Sequence, residues 1–212
     1  MTIKSFLKPV LLALCLLPLS SCSSLFKPKT MTIEYDEEVK LHDGEMIWAH
    51  ITRHYGLVGG VPSGHGKSYM PSAVEISWDT GFEGVGRKSV YFDSYVGIID
   101  KYDGKWYVAG NKNTTGKNLY KDSINCNSIG VFIEQLRCVV ALNQQGEFVK
   151  AQPEDLYNIN SKNIIYPMGI KDWGSIPRPL NNTKITWKDK LVLQSQQSKR
   201  FSDLNKPLLE EN

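Results

Sequence analysis

The sequence has little net charge, few cysteines and no apolar run of the roughly 20 residues that a membrane-spanning helix requires. Its 25 Lys and Arg against 22 Asp and Glu give the 212 residues a formal net charge of +3. This near-balance excludes a nucleic-acid partner held by bulk positive charge. The chain has only four Cys. About 190 residues remain after the first 21, which is one domain, large enough to bury a normal core without metals or many disulfides.

Sequence motifs of catalysis are lacking as well. No G-x-S-x-G nucleophile elbow occurs. Residues 64–68 resemble the end of a phosphate-binding loop, but Val61 stands where that loop requires Gly, and Pro71 disfavours the helix that must follow. We therefore expect no nucleotide, no cofactor and no recognisable catalytic residue, while a site assembled from distant residues stays open.

Two histidines have the outer spacing of a helical zinc motif. Ile51 stands where that motif has Glu, and Ile51 with Thr52 favours a strand. In a strand His50 and His54 lie on one face about 13 Å apart, too far to share a metal bound at about 2 Å. We predict no metal site and assign both as solvated or cross-strand histidines.

The first residues are organised like a secretion signal. Lys4 and Lys8 precede the apolar residues 10–19, and the stretch ends in Leu19-Ser20-Ser21-Cys22. This ending resembles the lipobox of bacterial lipoproteins. The resemblance implies diacylglycerol on the Cys22 sulfur, cleavage before Cys22 and acylation of the new amine. Two or more acyl chains then anchor a protein stably, since each buried CH₂ contributes about 0.8 kcal/mol.

The anchor sets the expected organisation of the chain. We predict a signal peptide over residues 1–21, a lipidated tether over 22–30, a β-rich globular domain over 31–195 and a polar tail over 196–212. Ser23 rather than Asp follows the lipidated Cys, which resembles an outer-membrane address. The expected location is the bacterial cell envelope, on the outer membrane facing the periplasm.

Apolar and polar residues alternate from residue 31 onward, which predicts strands. Turn signals separate them at Asp43-Gly44, Asp103-Gly104 and Gln145-Gly146. We predict a mostly β domain with few short helices, built as an antiparallel sandwich or a barrel. Further strands are expected over residues 89–99, 184–187 and 191–193, and one helical turn over 153–157. The acidic run 36–38 interrupts the first apolar alternation and is expected on the solvated face of an edge strand.

The region from Tyr35 to Tyr55 also resembles the opening hairpin of uncharacterised proteobacterial lipoproteins. The likeness covers about 20 residues and consists of common strand and turn residues, Tyr-Asp-Glu-Glu-Val-Lys-Leu-His-Asp-Gly followed by Ile47 and Arg53. It implies no activity.

Two cysteines remain for the folded domain once those of the signal peptide and the lipid anchor are set aside. Cys126 and Cys138 form an even pair in a compartment that oxidises thiols, so we predict a disulfide between them. Apolar residues between 129 and 140 also fit a helical face, and the two interpretations exclude each other. One straight helix would separate the cysteines by about 18 Å, whereas a disulfide needs Cα atoms within about 7 Å.

Two stretches are candidate partner contacts. Residues 56–72 hold five glycines and two prolines and predict a loop, with His65 and Lys67 as its contact residues. Trp173 lies in a second expected loop, between Gly169 and Pro177. We expect most other aromatic residues to fill the core or to pair across strands.

The sequence favours a non-enzymatic binding or structural β domain on a lipid anchor, with an envelope protein or glycan as its partner. One alternative is an immunity or inhibitor lipoprotein that protects its host from an exported toxin. The other alternative is an envelope hydrolase.

Overall fold

The protein is described by a computed structural model over residues 28–59, 68–93, 96–111, 130–133, 137–159, 163–164 and 184–196. These residues form ten strands, one 3₁₀ helix and one α-helix. The elements in chain order are β1 (Thr30–Lys40), β2 (Met46–Val58), β3 (Ser68–Asp79), β4 (Arg87–Asp93), β5 (Val96–Tyr102), β6 (Lys105–Asn111), β7 (Val131–Ile133), β8 (Arg137–Leu142), β9 (Phe148–Lys150), the 3₁₀ helix Pro153–Asn158, β10 (Lys184–Ile185) and α1 (Trp187–Gln196).

The first sheet has the strand order β10-β1-β2-β3-β4. Its neighbours are antiparallel, except that the two-residue β10 runs parallel to β1. Buried and exposed residues alternate strictly along the first half of β1, as a sheet with one face in the core requires.

The second sheet has the order β5-β6-β8-β7, with β9 also pairing with β8. Its opening hairpin turns at Asp103-Gly104, where both residues have positive φ, 47° and 69°. A type I′ turn requires this conformation at both central positions, which is why Asp-Gly occupies them.

The two sheets pack face to face around the main core. That core joins side chains of β1–β4 to Val96, Ile99, Val108 and Val140 of the second sheet. A second cluster lies on the opposite face of the second sheet, where Tyr107 and Val139 contact Leu156 and Ile159. The second sheet is therefore covered on both faces, whereas the outer face of β1–β4 carries partly and fully exposed side chains.

The predicted mostly β fold is confirmed as a sandwich of two sheets and not as a closed barrel. The three turn signals each join two paired strands. The helical turn expected near residue 153 is the 3₁₀ helix, with Pro at its start and Glu154 and Asp155 in its first turn.

The strand predicted over residues 191–193 is wrong, because these residues belong to α1. The helix begins with a capping box. The Asp189 amide donates to Thr186 Oγ1 at 3.2 Å, and the Thr186 amide donates to Asp189 Oδ2 at 2.9 Å. The Thr186 hydroxyl also donates to Asp189 Oδ2 at 2.7 Å. This bond, followed by the bond from the Thr186 amide, lowers the pKa of the Asp189 carboxyl.

The strands expected over residues 89–99 are confirmed. They lie in different sheets, because β4 ends at Asp93 in the first sheet and β5 begins at Val96 in the second. Two further expectations need correction. The loop expected over residues 56–72 is wrong at both ends, because β2 continues to Val58 and β3 begins at Ser68. The helical alternative for residues 129–140 fails in its described parts, which form β7 and β8.

Candidate functional site

The outer face of β1–β4 is the candidate site, and cross-strand register arranges its side chains in rows. One row runs Asp36, His50, Ser77 and Ser89, and the next runs Glu34, Thr52, Glu75 and Tyr91. None of these eight residues is buried. Side chains two residues apart on one strand share a face, so even-numbered residues of β1 and β2 meet on this surface.

Asp36 and His50 face each other directly in this register, and their side chains form a pair. His50 Nδ1 lies 2.9 Å from Asp36 Oδ1, with the two side chains 38% and 37% exposed. Both groups therefore keep solvent access, and the pair presents a polarised imidazole to any molecule that covers the face.

His54 lies in the adjoining part of the same face. Its ring stacks on Tyr91, with centroids 5.7 Å apart and 21° between the planes, and its Nδ1 lies 3.2 Å from Thr32 Oγ1. Burial lowers the pKa of His54 from 6.5, while Glu75 and Glu34 oppose that shift. The packed ring thus stays neutral to lower pH than a free histidine.

Trp48 lies next to His50 on the histidine-bearing side of β2 and is 43% exposed. The Lys184 ammonium lies 5.5 Å from the centroid of its ring, within the range of a cation–π contact. Glu38, the cross-strand neighbour of Trp48, accepts a hydrogen bond from the Trp187 amide at 2.8 Å. This bond ties the edge of the face to the start of α1.

The face as a whole is acidic. Cross-strand alternation places five carboxylates and three cations among its described side chains. The carboxylates are Glu34, Asp36, Glu38, Glu75 and Asp79, and the cations are Lys40, Arg87 and Lys184. Such a surface complements a partner with basic or hydroxyl groups.

The core-facing side of β1 contradicts one sequence expectation. Glu37 is fully buried rather than solvated, and Lys190 of α1 reaches it with 2.6 Å between Nζ and Oε1. Lys190 Nζ also donates to the Asn163 carbonyl at 2.6 Å. β1 is not an edge strand here, because β10 pairs with it at Asp36 and Glu37. Burial lowers the pKa of Lys190, and Glu37 acts in the opposite direction.

A second buried polar contact lies beside this pair. Arg53 Nε donates to the Tyr35 hydroxyl at 2.7 Å, and both residues are at most 1% exposed. Burial raises the pKa of Tyr35, and the Arg53 charge lowers it by less. Glu37, Lys190 and Arg53 thus place ionisable groups inside the sandwich, and the pair of Glu37 with Lys190 holds α1 against the first sheet.

A histidine–carboxylate pair also closes the turn between β1 and β2. His42 Nδ1 lies 3.0 Å from Asp100 Oδ1, with His42 28% exposed and Asp100 fully buried. The amides of His42 and Lys101 donate to the same oxygen, at 3.2 and 2.8 Å. A buried carboxylate that orients a partly exposed imidazole is the base half of a general-base site. No hydroxyl or thiol of the described residues hydrogen-bonds this ring.

Asp155 forms one more buried contact, on the covered side of the second sheet. The Tyr107 hydroxyl donates to Asp155 Oδ2, and Lys105 Nζ lies 3.5 Å from the same oxygen. Burial raises the pKa of Tyr107, with the Asp155 hydrogen bond as the second cause. This contact fastens the 3₁₀ helix to β6.

Most residues predicted as sites lie outside the described residues. These are the lipidation residue Cys22, the disulfide residue Cys126 and the partner contacts His65, Lys67 and Trp173. Cys138 is described, and it is buried in β8. The disulfide between Cys126 and Cys138 therefore stays a prediction.

The predicted placement of the two histidines on a strand is confirmed. His50 and His54 lie on the one strand β2, and each contacts a β1 side chain across the pair of strands. Among the described residues no group of three His, Cys, Asp or Glu side chains is placed to hold a metal ion.

Sequence reasoning missed Trp48 as an exposed tryptophan. The signal was present, because Trp48 alternates with the core residues Ile47 and Ala49. Trp78 and Trp106 behave as expected, since both are buried and their rings meet edge to face at 5.8 Å.

No protein family, curated protein or solved structure matches the chain. Neither helix in the described parts of the chain is long and apolar enough to cross a membrane.

Proposed function

We propose that this protein is a lipid-anchored envelope protein whose β-sandwich acts as a non-enzymatic binding domain. Its anchor is Cys22, and its location is the outer membrane facing the periplasm. The observation that carries the binding role is the outer face of β1–β4, an acidic surface that no other described element covers and that includes the His50–Asp36 pair and Trp48.

The composition of this face favours a protein partner with basic side chains. Exposed carboxylates attract Lys and Arg of a partner, and Trp48 offers an aromatic surface to a guanidinium or an aliphatic stem. A sheet face four strands wide supplies a broad, flat area rather than the cleft that a small molecule needs.

Site-specific photocrosslinking in the envelope tests the proposal. A photoreactive amino acid replaces Thr52, at the centre of the face, and a matched control replaces Lys150, exposed on β9 of the other sheet. We expect a discrete protein adduct from position 52 only, and its loss when Asp36→Asn and Glu75→Gln remove two negative charges. Equal adducts from both positions, a glycan adduct or no adduct would overturn the binding role.

The anchor is tested on the same strain. Labelled palmitate should enter the full chain and not the Cys22→Ser variant. Label in the variant, or none in the parent, would contradict lipidation at Cys22.

The His42–Asp100 pair favours one second candidate function, an envelope hydrolase. In that case the purified domain releases products from peptidoglycan or phospholipid, and His42→Gln abolishes the release. No turnover above a protein-free blank would remove this candidate.

A further inference from the structure

The end of the sandwich where the described chain begins exposes two large apolar side chains. Val58 is 51% exposed and Met70 is 46% exposed. Val58 pairs with Ser68, and Met70 pairs with Gly56, so they lie two positions apart on neighbouring strands. Gly56 also pairs with Thr30 at the start of β1.

The first described residues are fastened to this same end. The Tyr69 hydroxyl donates to the Pro28 carbonyl at 2.9 Å, and the Leu57 amide donates to the Lys29 carbonyl at 2.8 Å. The described chain therefore begins beside Val58 and Met70, and Lys29 is exposed there.

The path from this end to the lipid is short. Five residues separate Cys22 from Pro28, and six fully extended residue steps reach at most about 22 Å. The 11 residues of β1 carry the opposite end of the sandwich about 36 Å further away. Of the described surface, this end is therefore held nearest to the acyl chains.

We propose that this anchored end, formed by Lys29, Val58 and Met70, rests in the headgroup region of the bilayer that holds the lipid on Cys22. Val58 and Met70 enter the boundary between headgroups and acyl chains, and the Lys29 ammonium meets lipid phosphate. The inference rests on the proposed lipidation, because the tether makes a weak surface contact effectively intramolecular.

This contact also orients the proposed binding face. The strands of β1–β4 then stand steeply on the membrane, so that the outer face points sideways into the periplasm and the His42 turn lies furthest from the lipid. A partner reaches the outer face without displacing the membrane contact.

The test uses the full lipidated chain in vesicles of phosphatidylethanolamine with phosphatidylglycerol as the minor, anionic component. A fluorescent amino acid replaces Val58 or Met70 at the anchored end, or Asp43 or Gln144 in exposed turns at the opposite end. A lipid with a nitroxide on its headgroup quenches probes near the surface. We expect several-fold stronger quenching at positions 58 and 70 than at 43 and 144.

A matched substitution isolates the apolar contact. With the probe at Thr30, the double variant Val58→Ser, Met70→Ser should lose most of the quenching. Leu191→Ser should not, because Leu191 is as exposed as Met70, at 46%, but lies on α1.

Co-flotation with the vesicles separates the two possible failures. Protein that floats but is quenched equally at all four positions, or is unaffected by the double variant, overturns the membrane contact and leaves the anchor intact. Protein that does not float overturns the anchor, and the contact with it.

Discussion

Asp36 and Glu37 are adjacent acids whose side chains lie on opposite faces of one sheet. Asp36 keeps 37% of its side chain exposed beside His50, while Glu37 is fully buried against Lys190. Both pairs are at hydrogen-bonding distance, 2.9 and 2.6 Å. The environment differs, because water screens the first pair and is excluded from the second.

This contrast teaches that burial, not charge or distance, decides what a pair contributes. A buried ion has lost its hydration, so removing its partner leaves that loss uncompensated. An exposed ion regains water when its partner is removed. The charged side chains of the inner face therefore stabilise the fold. Those of the outer face contribute little to stability and are available for binding.

The sharpest way to test this contrast is to break the buried pair. Lys190→Met leaves Glu37 buried without its cation, and we expect a loss of about 3–5 kcal/mol in the free energy of unfolding. Urea denaturation of the mature domain measures it. The double variant Glu37→Met, Lys190→Met should recover much of the loss, and no recovery would contradict the electrostatic explanation.

Two buried tyrosines test the hydrogen bond beside that pair. Tyr35→Phe removes the acceptor of the Arg53 bond and should cost about 1.5–3 kcal/mol, as expected for a bond to a charged group. Tyr55 is the matched control, because its buried hydroxyl has no hydrogen-bond partner among the described residues. Tyr55→Phe should change stability by much less, and equal losses in the two variants would count against this account.

Alkaline pH should reduce the stability that the buried groups of the inner face give to the fold. Burial raises the folded pKa of Tyr35 above 10.0. The contribution of Tyr35 to the free energy of unfolding is therefore complete below pH 10 and is lost as the pH rises through the folded pKa. The slope is about 1.4 kcal/mol per pH unit for one such group. Lys190 acts in the opposite sense, because its folded pKa is lowered from 10.5 and its contribution grows with pH up to that value. Denaturant titrations between pH 9 and 11 measure the free energy of unfolding at each pH. We expect it to fall less steeply with pH in Tyr35→Phe than in the parent.

The exposed pair should respond little to the same kind of change. We expect Asp36→Asn to cost about 0–1 kcal/mol, and added salt to reduce even that difference. A loss comparable to that of Lys190→Met would erase the contrast between the two faces. Thermal unfolding at low and high salt is sufficient to measure it.

The smallest expected effect is on the titration of His54. Its pKa is lowered by burial, and Glu75 partly compensates, so Glu75→Gln should lower it further. Because the folded pKa lies below the unfolded value of 6.5, the contribution of His54 to stability is complete above pH 6.5 and is lost as the pH falls. NMR titration of the ring protons gives the pKa directly, and a rise in Glu75→Gln would refute this assignment.

The strands near the hairpin turns could be predicted because their signals are local. Alternation of apolar residues and Asp-Gly turns act over a few residues, and they identified β1, β2 and the β5–β6 hairpin. The strand predicted at residues 191–193 failed because its apolar residues were weighed without the Thr186–Asp189 capping box just before them.

Less of the candidate site than of the strands could be predicted from the sequence. Trp48 and the histidines of β2 follow from alternation alone, but the rows that unite them with Glu75 and Tyr91 depend on the register of four strands. Glu37 was placed in solvent because its cation comes from α1, far along the chain, and local pattern carries no information about such a partner.

The sequence by itself determined the period-two strands, the turns between them and the lipobox-like ending at Cys22, since each depends on neighbours in the chain. Only the tertiary structure decided which strands share a sheet, which acid is buried and which sheet face carries exposed side chains. Those outcomes depend on contacts such as that between Glu38 and Trp187, 149 residues apart. Such contacts form only once both segments are folded, because the entropy of closing a long loop is recovered by many contacts together.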